Sequence, residues 1–142
     1  MLEPSPLQAH RLWLQQPILS LADMLLFRRL ETTAPPLSVA SLSSRVFGWR
    51  SRLLEASFPL RPDTRKSELG ELLRSTLEDL CASAEKAIRE EGVSIIIISD
   101  RRLGPDMVPV PSLLALGAVH QHLLKVELRM KVGLIVESGD AR

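Results

Sequence analysis

The sequence has 142 residues, of which 45% are hydrophobic, which suits one domain with a buried core. Its 18 Lys and Arg residues nearly balance 17 Asp and Glu residues, and only 4% of its residues are aromatic, so the composition does not favour a nucleic-acid partner. No apolar run approaches the roughly 20 residues that span a bilayer, no secretory signal is recognisable, and the single cysteine excludes an internal disulfide. These features favour a soluble protein of a reducing compartment.

The first predicted element is a short helix. Ser20 is a favourable N-cap, and Asp23 follows three residues later, as in a capping box. Arg28 would lie in the last turn, where a positive charge complements the helix dipole. We assign residues 1–49 to an N-terminal helix and irregular segment, and residues 50–142 to the core.

A Pro- and Ser-rich stretch at residues 32–44 predicts irregular chain, and residues 50–58 predict a strand that Pro59 ends. The next segment repeats apolar residues at steps of three and four, which predicts a helix that Ser67 caps and Gly92 ends in a left-handed conformation. Cys81 lies on its apolar stripe. Because burial would raise the pKa of its thiol and no histidine is near in sequence, we interpret Cys81 as a packing residue.

Residues 93–98, with four consecutive isoleucines, predict a strand. A strand that is apolar at consecutive positions must be covered on both faces, as central strands of parallel sheets are. The following helix begins near Ser112, its predicted cap, and is apolar almost all round, so we expect deep burial, with Gly117 close to the sheet. Residues 131–136 predict another buried strand.

The order strand, helix, strand, helix, strand is typical of an α/β fold. We predict a small parallel sheet of βαβ units, with right-handed crossovers and helices on both faces. The last strand has no following helix, and three strands form a small sheet for such apolar elements, so the fold is expected to be incomplete at its C-terminal end. The chain is therefore expected to belong to something larger or to oligomerise.

Residues 97–142 resemble the central domain of the glutamate synthase large subunit. The matching motifs are Ser99-Asp100-Arg101, Pro109 through Ala115, Ala118-Val119-His120, and Val132 through Arg142. The resemblance is looser before residue 97, and residues 32–49 match poorly, as an insertion or a divergent loop would. Asp140 stands where the family has Glu.

This resemblance implies a domain of a multidomain iron–sulfur flavoenzyme of the cytoplasm or plastid stroma. In that enzyme an amidotransferase domain releases ammonia from glutamine, and an FMN-binding domain uses the ammonia to make glutamate from 2-oxoglutarate. The central domain is a structural, linking partner of both. The resemblance also implies that FMN and an iron–sulfur cluster are bound elsewhere in the enzyme. One cysteine cannot hold the cluster, and no phosphate-binding loop is recognisable in this sequence. We predict no catalytic, cofactor-binding or metal-binding residue in this segment, and its status as an enzyme stays open.

Several polar residues are candidates for contacts with other domains or with an anion: Asp100, Arg101, Ser112, His120, Glu137 and Ser138. The first two follow a strand, where open α/β sheets bind ligands, and a helix N-terminus at Ser112 would favour an anion. Pairing among themselves or with a neighbouring domain is the other interpretation. Glu137 suits either a general base or a hydrogen-bonded loop carboxylate.

Two histidines, His120 and His122, are two residues apart, so a helix would point them to different sides, unlike a metal-binding pair. We interpret His120 as hydrogen-bonded and partly buried. Two further functions stay open from the residues: a stand-alone α/β module that binds a small anionic ligand at the strand carboxyl ends, and a fragment that associates with a full-length synthase.

Overall fold

A computed structural model describes residue 14 and residues 16–30, 49–60, 63–101 and 104–139. The irregular chain predicted for residues 32–44 lies outside these ranges. In chain order the elements are α1 (Leu21–Arg29), β1 (Ser51–Glu55), β2 (Ser57–Pro59), α2 (Lys66–Glu90), β3 (Ile95–Ser99), β4 (Met107–Pro109), α3 (Ser112–Lys125), a 3-10 turn (Arg129–Lys131) and β5 (Gly133–Glu137).

The predicted α/β fold is confirmed: three parallel strands form an open sheet in the order β1-β3-β5. In its register, Ile97 lies between Leu53 of β1 and Ile135 of β5. Because strand order follows chain order, right-handed crossovers place α2 and α3 on the same face of the sheet. The opposite face is covered by α1, so helices lie on both faces, as predicted.

The isoleucines of β3 supply the core on both faces. Ile96 and Ile98 pack into a cluster with residues of α2 and α3. Ile95 and Ile97 instead pack with Met24 and Phe27 of α1. Every residue of β3 is buried, which confirms the prediction of a central strand drawn from its lack of alternation.

Helix α1 is fixed to the sheet by packing and by one buried hydrogen bond. The Ser51 hydroxyl, at the start of β1, donates to the Phe27 carbonyl oxygen over 2.5 Å. The predicted capping box is present, since the Asp23 amide donates to the Ser20 hydroxyl oxygen and the Ser20 amide donates to the Asp23 carboxylate. The division at residue 49 stays a prediction.

The single strand predicted for residues 50–58 is wrong, because the chain changes sheets at Ala56. Its amide donates to the Ser99 carbonyl in the parallel sheet at 2.8 Å, and its carbonyl accepts from the Val110 amide at 2.9 Å. β2 then pairs antiparallel with β4, and Pro59 is the last residue of β2, opposite Met107. A proline is tolerated there because this strand lies at an edge.

Both predicted helix caps downstream are also wrong. Helix α2 begins at Lys66 with Arg65 as its N-cap, and the Glu68 carboxylate accepts from the Arg65 amide at 3.4 Å. Ser112 is the first residue of α3, after the N-cap Pro111. The left-handed conformation predicted for Gly92 is confirmed, with a φ of 64°.

The deep burial predicted for α3 is wrong, since only one face of this helix is buried. Ala115, Val119 and Leu123 face the core, whereas Leu113 is 81% exposed. Gly117 has open space where a Cβ would lie, so it does not approach the sheet. Strand β5 is half-buried rather than buried. Within the described ranges, no helix combines the length and apolarity needed to cross a membrane.

Candidate functional site at the strand carboxyl ends

Glu137, the last residue of β5, is the centre of a polar cluster at the carboxyl ends of the strands. The parallel register places it opposite Ser99, whose hydroxyl donates to the Glu137 carboxylate over 2.9 Å. Arg28 of α1 makes a hydrogen-bonded ion pair with the same carboxylate. Arg101 Nε lies 3.5 Å from its other oxygen. The Glu137 side chain is only 9% exposed, so this carboxylate is almost fully enclosed by its partners.

Asp100 holds the chain that leaves β5. Its amide continues the sheet by donating to the Glu137 carbonyl at 3.2 Å. Its carboxylate accepts from the Ser138 hydroxyl at 2.6 Å and from the Gly139 amide at 3.1 Å. The two loops that follow β3 and β5 are therefore tied directly to each other.

The charges of this cluster balance, since Arg28 and Arg101 lie beside Glu137, and Asp100 follows in the adjoining loop. Arg28 Nε is buried without a hydrogen-bond partner in the described part of the chain. Arg101 is more open, with 53% of its side chain exposed. The cluster thus has an enclosed carboxylate, that of Glu137, and an exposed guanidinium, that of Arg101. It also has one buried N–H donor, Arg28 Nε, that lacks a partner among the described residues.

The other two predicted contacts are Ser112 and His120. Among the described residues, no hydrogen bond joins Ser112 to Asp100 or Arg101. His120 Nδ1 accepts from Arg129 Nε at 2.9 Å, and the same guanidinium donates to the Val132 carbonyl at 2.8 Å. His120 is half-buried and hydrogen-bonded, and its bond fixes the turn that enters β5.

A second polar contact, between α2 and α3, was not predicted from the sequence. His122 Nε2 lies 2.8 Å from a carboxylate oxygen of Glu85, and Arg89 Nε donates to the other oxygen at 2.7 Å. The hydrogen bond from His122, and next that from Arg89, lower the pKa of Glu85 below its usual 4.5. Because Glu85 and Arg89 are four residues apart, the sequence indicates that their side chains can pair on one face of the helix. No spacing in the sequence indicates the contact between Glu85 and His122.

Cys81 is half-buried in the groove between α2 and α3. The groove has a volume of about 630 Å3, and Leu77 and Ala118 also line it. Burial, and next the nearby Glu78, raise the pKa of the Cys81 thiol. Cys81 packs against the main core cluster, as expected for a packing residue.

Sequence reasoning missed Arg28, Ser99 and Gly139 as members of the strand-end cluster. The sequence indicates Arg28 only as a complement to the helix dipole. Ser99 and Gly139 were adjacent to predicted contacts, so their positions at strand ends were a usable signal. Nothing in the sequence indicates that α1 brings Arg28 to the end of β5.

The hydrogen bonds and ion pairs of this cluster join α1, β3 and β5. The Glu137 and Asp100 carboxylates are both engaged as hydrogen-bond acceptors. No group of three or more potential ligands that could hold a metal ion is found among the described residues. An iron–sulfur cluster held by several thiolates does not fit this chain, which has one cysteine.

These features define an α/β domain with an open parallel sheet and an ion-paired polar cluster at the strand ends. A family model described as "Glutamate synthase central domain" matches residues 1–142. The chain therefore belongs to the glutamate synthase central domain family, which confirms the resemblance found in the sequence.

Individual relatives agree with this family. The chain is 44% identical over 87 residues to the "Glutamate synthase [NADPH] large chain" of Bacillus subtilis, a match that covers 58% of this chain and 6% of the relative. It is 32% identical over 142 residues to the "Glutamate synthase [NADH]" of Schizosaccharomyces pombe, covering 100% of this chain and 6% of the relative. It is 40% identical over 90 residues to the "Ferredoxin-dependent glutamate synthase, chloroplastic" of Spinacia oleracea, covering 61% of this chain and 5% of the relative. The matches thus span only a small part of these proteins.

Proposed function

We propose that this chain is the structural, linking central domain of a glutamate synthase, the iron–sulfur flavoenzyme that makes glutamate from glutamine and 2-oxoglutarate. In this role it holds the amidotransferase and FMN-binding domains around the route that ammonia follows. The single observation that carries the proposal is the family match over residues 1–142.

The strand-end cluster supports a structural role. Open α/β sheets bind ligands at the carboxyl ends of their strands. At that position the Glu137 carboxylate is bound by Arg28 and Ser99, and Asp100 is bound by Ser138 and Gly139. Groups engaged in this way hold elements together and are poorly placed to take or give a proton to a substrate.

The proposed partners are the other domains of the same enzyme. This chain corresponds to 5–6% of the length of the relatives cited above, which supports additional domains in a longer polypeptide. FMN and the iron–sulfur cluster would belong to those domains. The proposed location is the cytoplasm or the plastid stroma, the latter because the spinach relative is named chloroplastic.

The experiment that tests this function compares the 142-residue chain with the protein at the length that its own gene encodes. The longer protein should form glutamate from glutamine and 2-oxoglutarate when it is supplied with a reductant. The 142-residue chain should form none. Glutamate formation by the 142-residue chain, or a gene product without amidotransferase and FMN-binding domains, would contradict the proposal.

A second candidate is a module that binds a small anion at the strand ends. Two observations favour it: the buried Arg28 Nε has no hydrogen-bond partner in the described ranges, and Arg101 is half exposed. Inorganic phosphate should then raise the melting temperature of the 142-residue chain, and Arg101→Ala should abolish the rise. If phosphate does not change the melting temperature, this candidate is excluded.

A further inference from the structure

The outer side of helix α1 is apolar and exposed. Ile18, which precedes the helix, and Leu21, Leu25 and Leu26 within it are 61–79% exposed. At about 100° per residue, the three leucines fall on the side of the helix opposite Phe27, which packs on the sheet. We call these four exposed residues the outer face of α1.

Helix α2 shows how this chain builds a helix surface that faces water. Every residue of α2 is described, and none of its exposed positions holds a large hydrophobic side chain. Charged residues such as Glu71, Arg74 and Glu78 occupy them instead. Single exposed apolar residues are ordinary, but several on one short helix mark a surface that binds another protein surface. The outer face of α1 is therefore a candidate docking surface.

The layers of the α/β fold do not cover the outer face of α1. Helices already lie on both faces of the sheet, and this face points away from the sheet. A further helix on the same side of the sheet would lie beside α1, about 8–10 Å from its axis, and not above it. Because one domain rarely exceeds three layers, a layer above α1 would come from a separate domain.

Positive charge accumulates at the C-terminal end of α1. Arg28, in the last turn, shares the Glu137 carboxylate with Arg101, so one carboxylate serves two guanidinium groups. Arg29, also in the last turn, is exposed, and 53% of the Arg101 side chain is exposed. A carboxylate on the docked surface would complement this charge, since a guanidinium binds a carboxylate through two parallel hydrogen bonds.

The size of the outer face favours a domain of the same polypeptide over a second copy of the chain. Its four side chains expose roughly 300 Å2 of apolar surface. Two copies packed through it would bury roughly 600 Å2, below the about 1,200 Å2 of stable interfaces between separate chains. Domains joined in one polypeptide need less area, because the connection supplies a high effective concentration. The relatives cited above are far longer than this chain, which spans 5–6% of their length.

We propose that the outer face of α1 binds a separate domain of the glutamate synthase polypeptide. The docked surface carries an apolar patch that covers Leu21 and Leu25, and a carboxylate that pairs with Arg101. This inference rests on the proposed function, and it names the surface through which the central domain holds a neighbour.

Photo-cross-linking identifies what lies on the outer face. A benzophenone amino acid replaces Leu25 in the protein at the length that its own gene encodes, and Glu71, an exposed residue of α2, is the matched control position. Irradiation should join position 25 to a peptide of the amidotransferase or FMN-binding domain of the same molecule. The yield should exceed that from position 71 about tenfold, because the docked domain is held against α1.

Polar variants measure how strongly the outer face docks. Leu21→Gln combined with Leu25→Gln keeps good helix formers at exposed positions, so the 142-residue chain should keep its melting temperature. In the longer protein, proteolysis between the domains should become about 30-fold faster, because cleavage follows the undocked population. Glu71→Gln is the control and should leave the rate unchanged.

A charge variant tests the predicted carboxylate on the docked surface. Arg101→Gln leaves the pair between Arg28 and Glu137 in place, so the 142-residue chain should melt as before. Proteolysis between the domains of the longer protein should become about fivefold faster, since an interfacial charge pair is lost. Arg74→Gln removes an exposed guanidinium of α2 and should have no effect.

The outcomes separate the docking proposal from the proposed function. Cross-links from position 25 to a second copy, to the rest of the central domain, or to nothing outside residues 1–142 overturn the docking proposal, and the proposed function stands. Unchanged proteolysis in the leucine variant or in Arg101→Gln does the same. If the gene product lacks amidotransferase and FMN-binding domains, the proposed function is overturned, and the docking proposal with it.

Discussion

Arg28 at the end of α1 pairs with Glu137 at the end of β5, although 109 residues separate them in sequence. This pair joins the helix on one face of the sheet to the strand at its edge. Ser99 completes the contact from the central strand. The strand-end cluster therefore connects elements that are distant in sequence. Removing its ion pair tests whether the N-terminal helix is part of the folded domain.

Removing the Glu137 carboxylate should destabilise the chain. In Glu137→Ala the Arg28 guanidinium and the Ser99 hydroxyl lose their acceptor, which should cost about 2 kcal/mol of unfolding free energy. Urea denaturation measures this cost. Glu78→Ala is the matched control, since Glu78 is an exposed residue of α2, and its free energy of unfolding should change by less than about 0.5 kcal/mol. Equal effects in the two variants would mean that the cluster does not stabilise the fold.

A charge in the middle of β3 should prevent folding. Ile97 is 0% exposed, so Ile97→Asp would bury an unpaired carboxylate and should abolish the cooperative thermal transition. Leu113→Asp places the same charge on an exposed position in the first turn of α3, where the helix dipole favours it. That control should melt like the parent chain. An Ile97→Asp variant that also melts like the parent would show that the strand assignment is wrong.

Two glycines should respond to alanine with opposite signs. Gly92 has a φ of 64°, so Gly92→Ala should lower the unfolding free energy by about 1 kcal/mol. Gly117 lies inside α3 with open space around it, so Gly117→Ala should raise the unfolding free energy by about 0.5–1 kcal/mol. Chemical denaturation measures both. A loss of stability in both variants would contradict the helix end at Gly92 or the exposure of Gly117.

The contact between Glu85 and His122 should make the stability of the fold depend on pH in the acidic range. The folded pKa of Glu85 lies below its usual 4.5, so its carboxylate contributes stability that is present above pH 4.5 and is lost as the pH falls through the lowered folded pKa. Melting temperatures measured across this range should fall less steeply in Glu85→Gln than in the parent. Glu90→Gln, which alters an exposed pair with Lys86, is the control and should keep the parent slope. An unchanged slope in Glu85→Gln would contradict the contact.

Local signals in the sequence predict much of this fold. The capping box at Ser20 and Asp23 depends on residues three apart, and the run of isoleucines in β3 reports burial on both faces without any knowledge of the neighbours. The change of sheets at Ala56 is different. It depends on partners at Ser99 and Val110, which only the folded chain brings to the same place.

Composition also leaves open which face of a helix is buried. Helix α3 is apolar nearly all round, but only its flank with Ala115, Val119 and Leu123 meets the core. The same holds for the strand-end cluster: Asp100 and Glu137 were predicted from their positions after strands, whereas Arg28 joins them through the packing of α1. Such contacts follow from tertiary structure and leave no periodic mark in the sequence.

We propose above that this chain positions other domains around an ammonia route and performs no chemistry itself. The most direct measurement compares glutamine-dependent with ammonia-dependent glutamate formation in the longer protein carrying Glu137→Ala, with Glu78→Ala as control, below the melting temperature of each variant. Because a misplaced domain disturbs transfer more than chemistry, glutamine-dependent formation should fall about tenfold relative to ammonia-dependent formation, with glutamine hydrolysis unchanged. Equal losses of the glutamine-dependent and ammonia-dependent activities, or no change in their ratio, would contradict the claim.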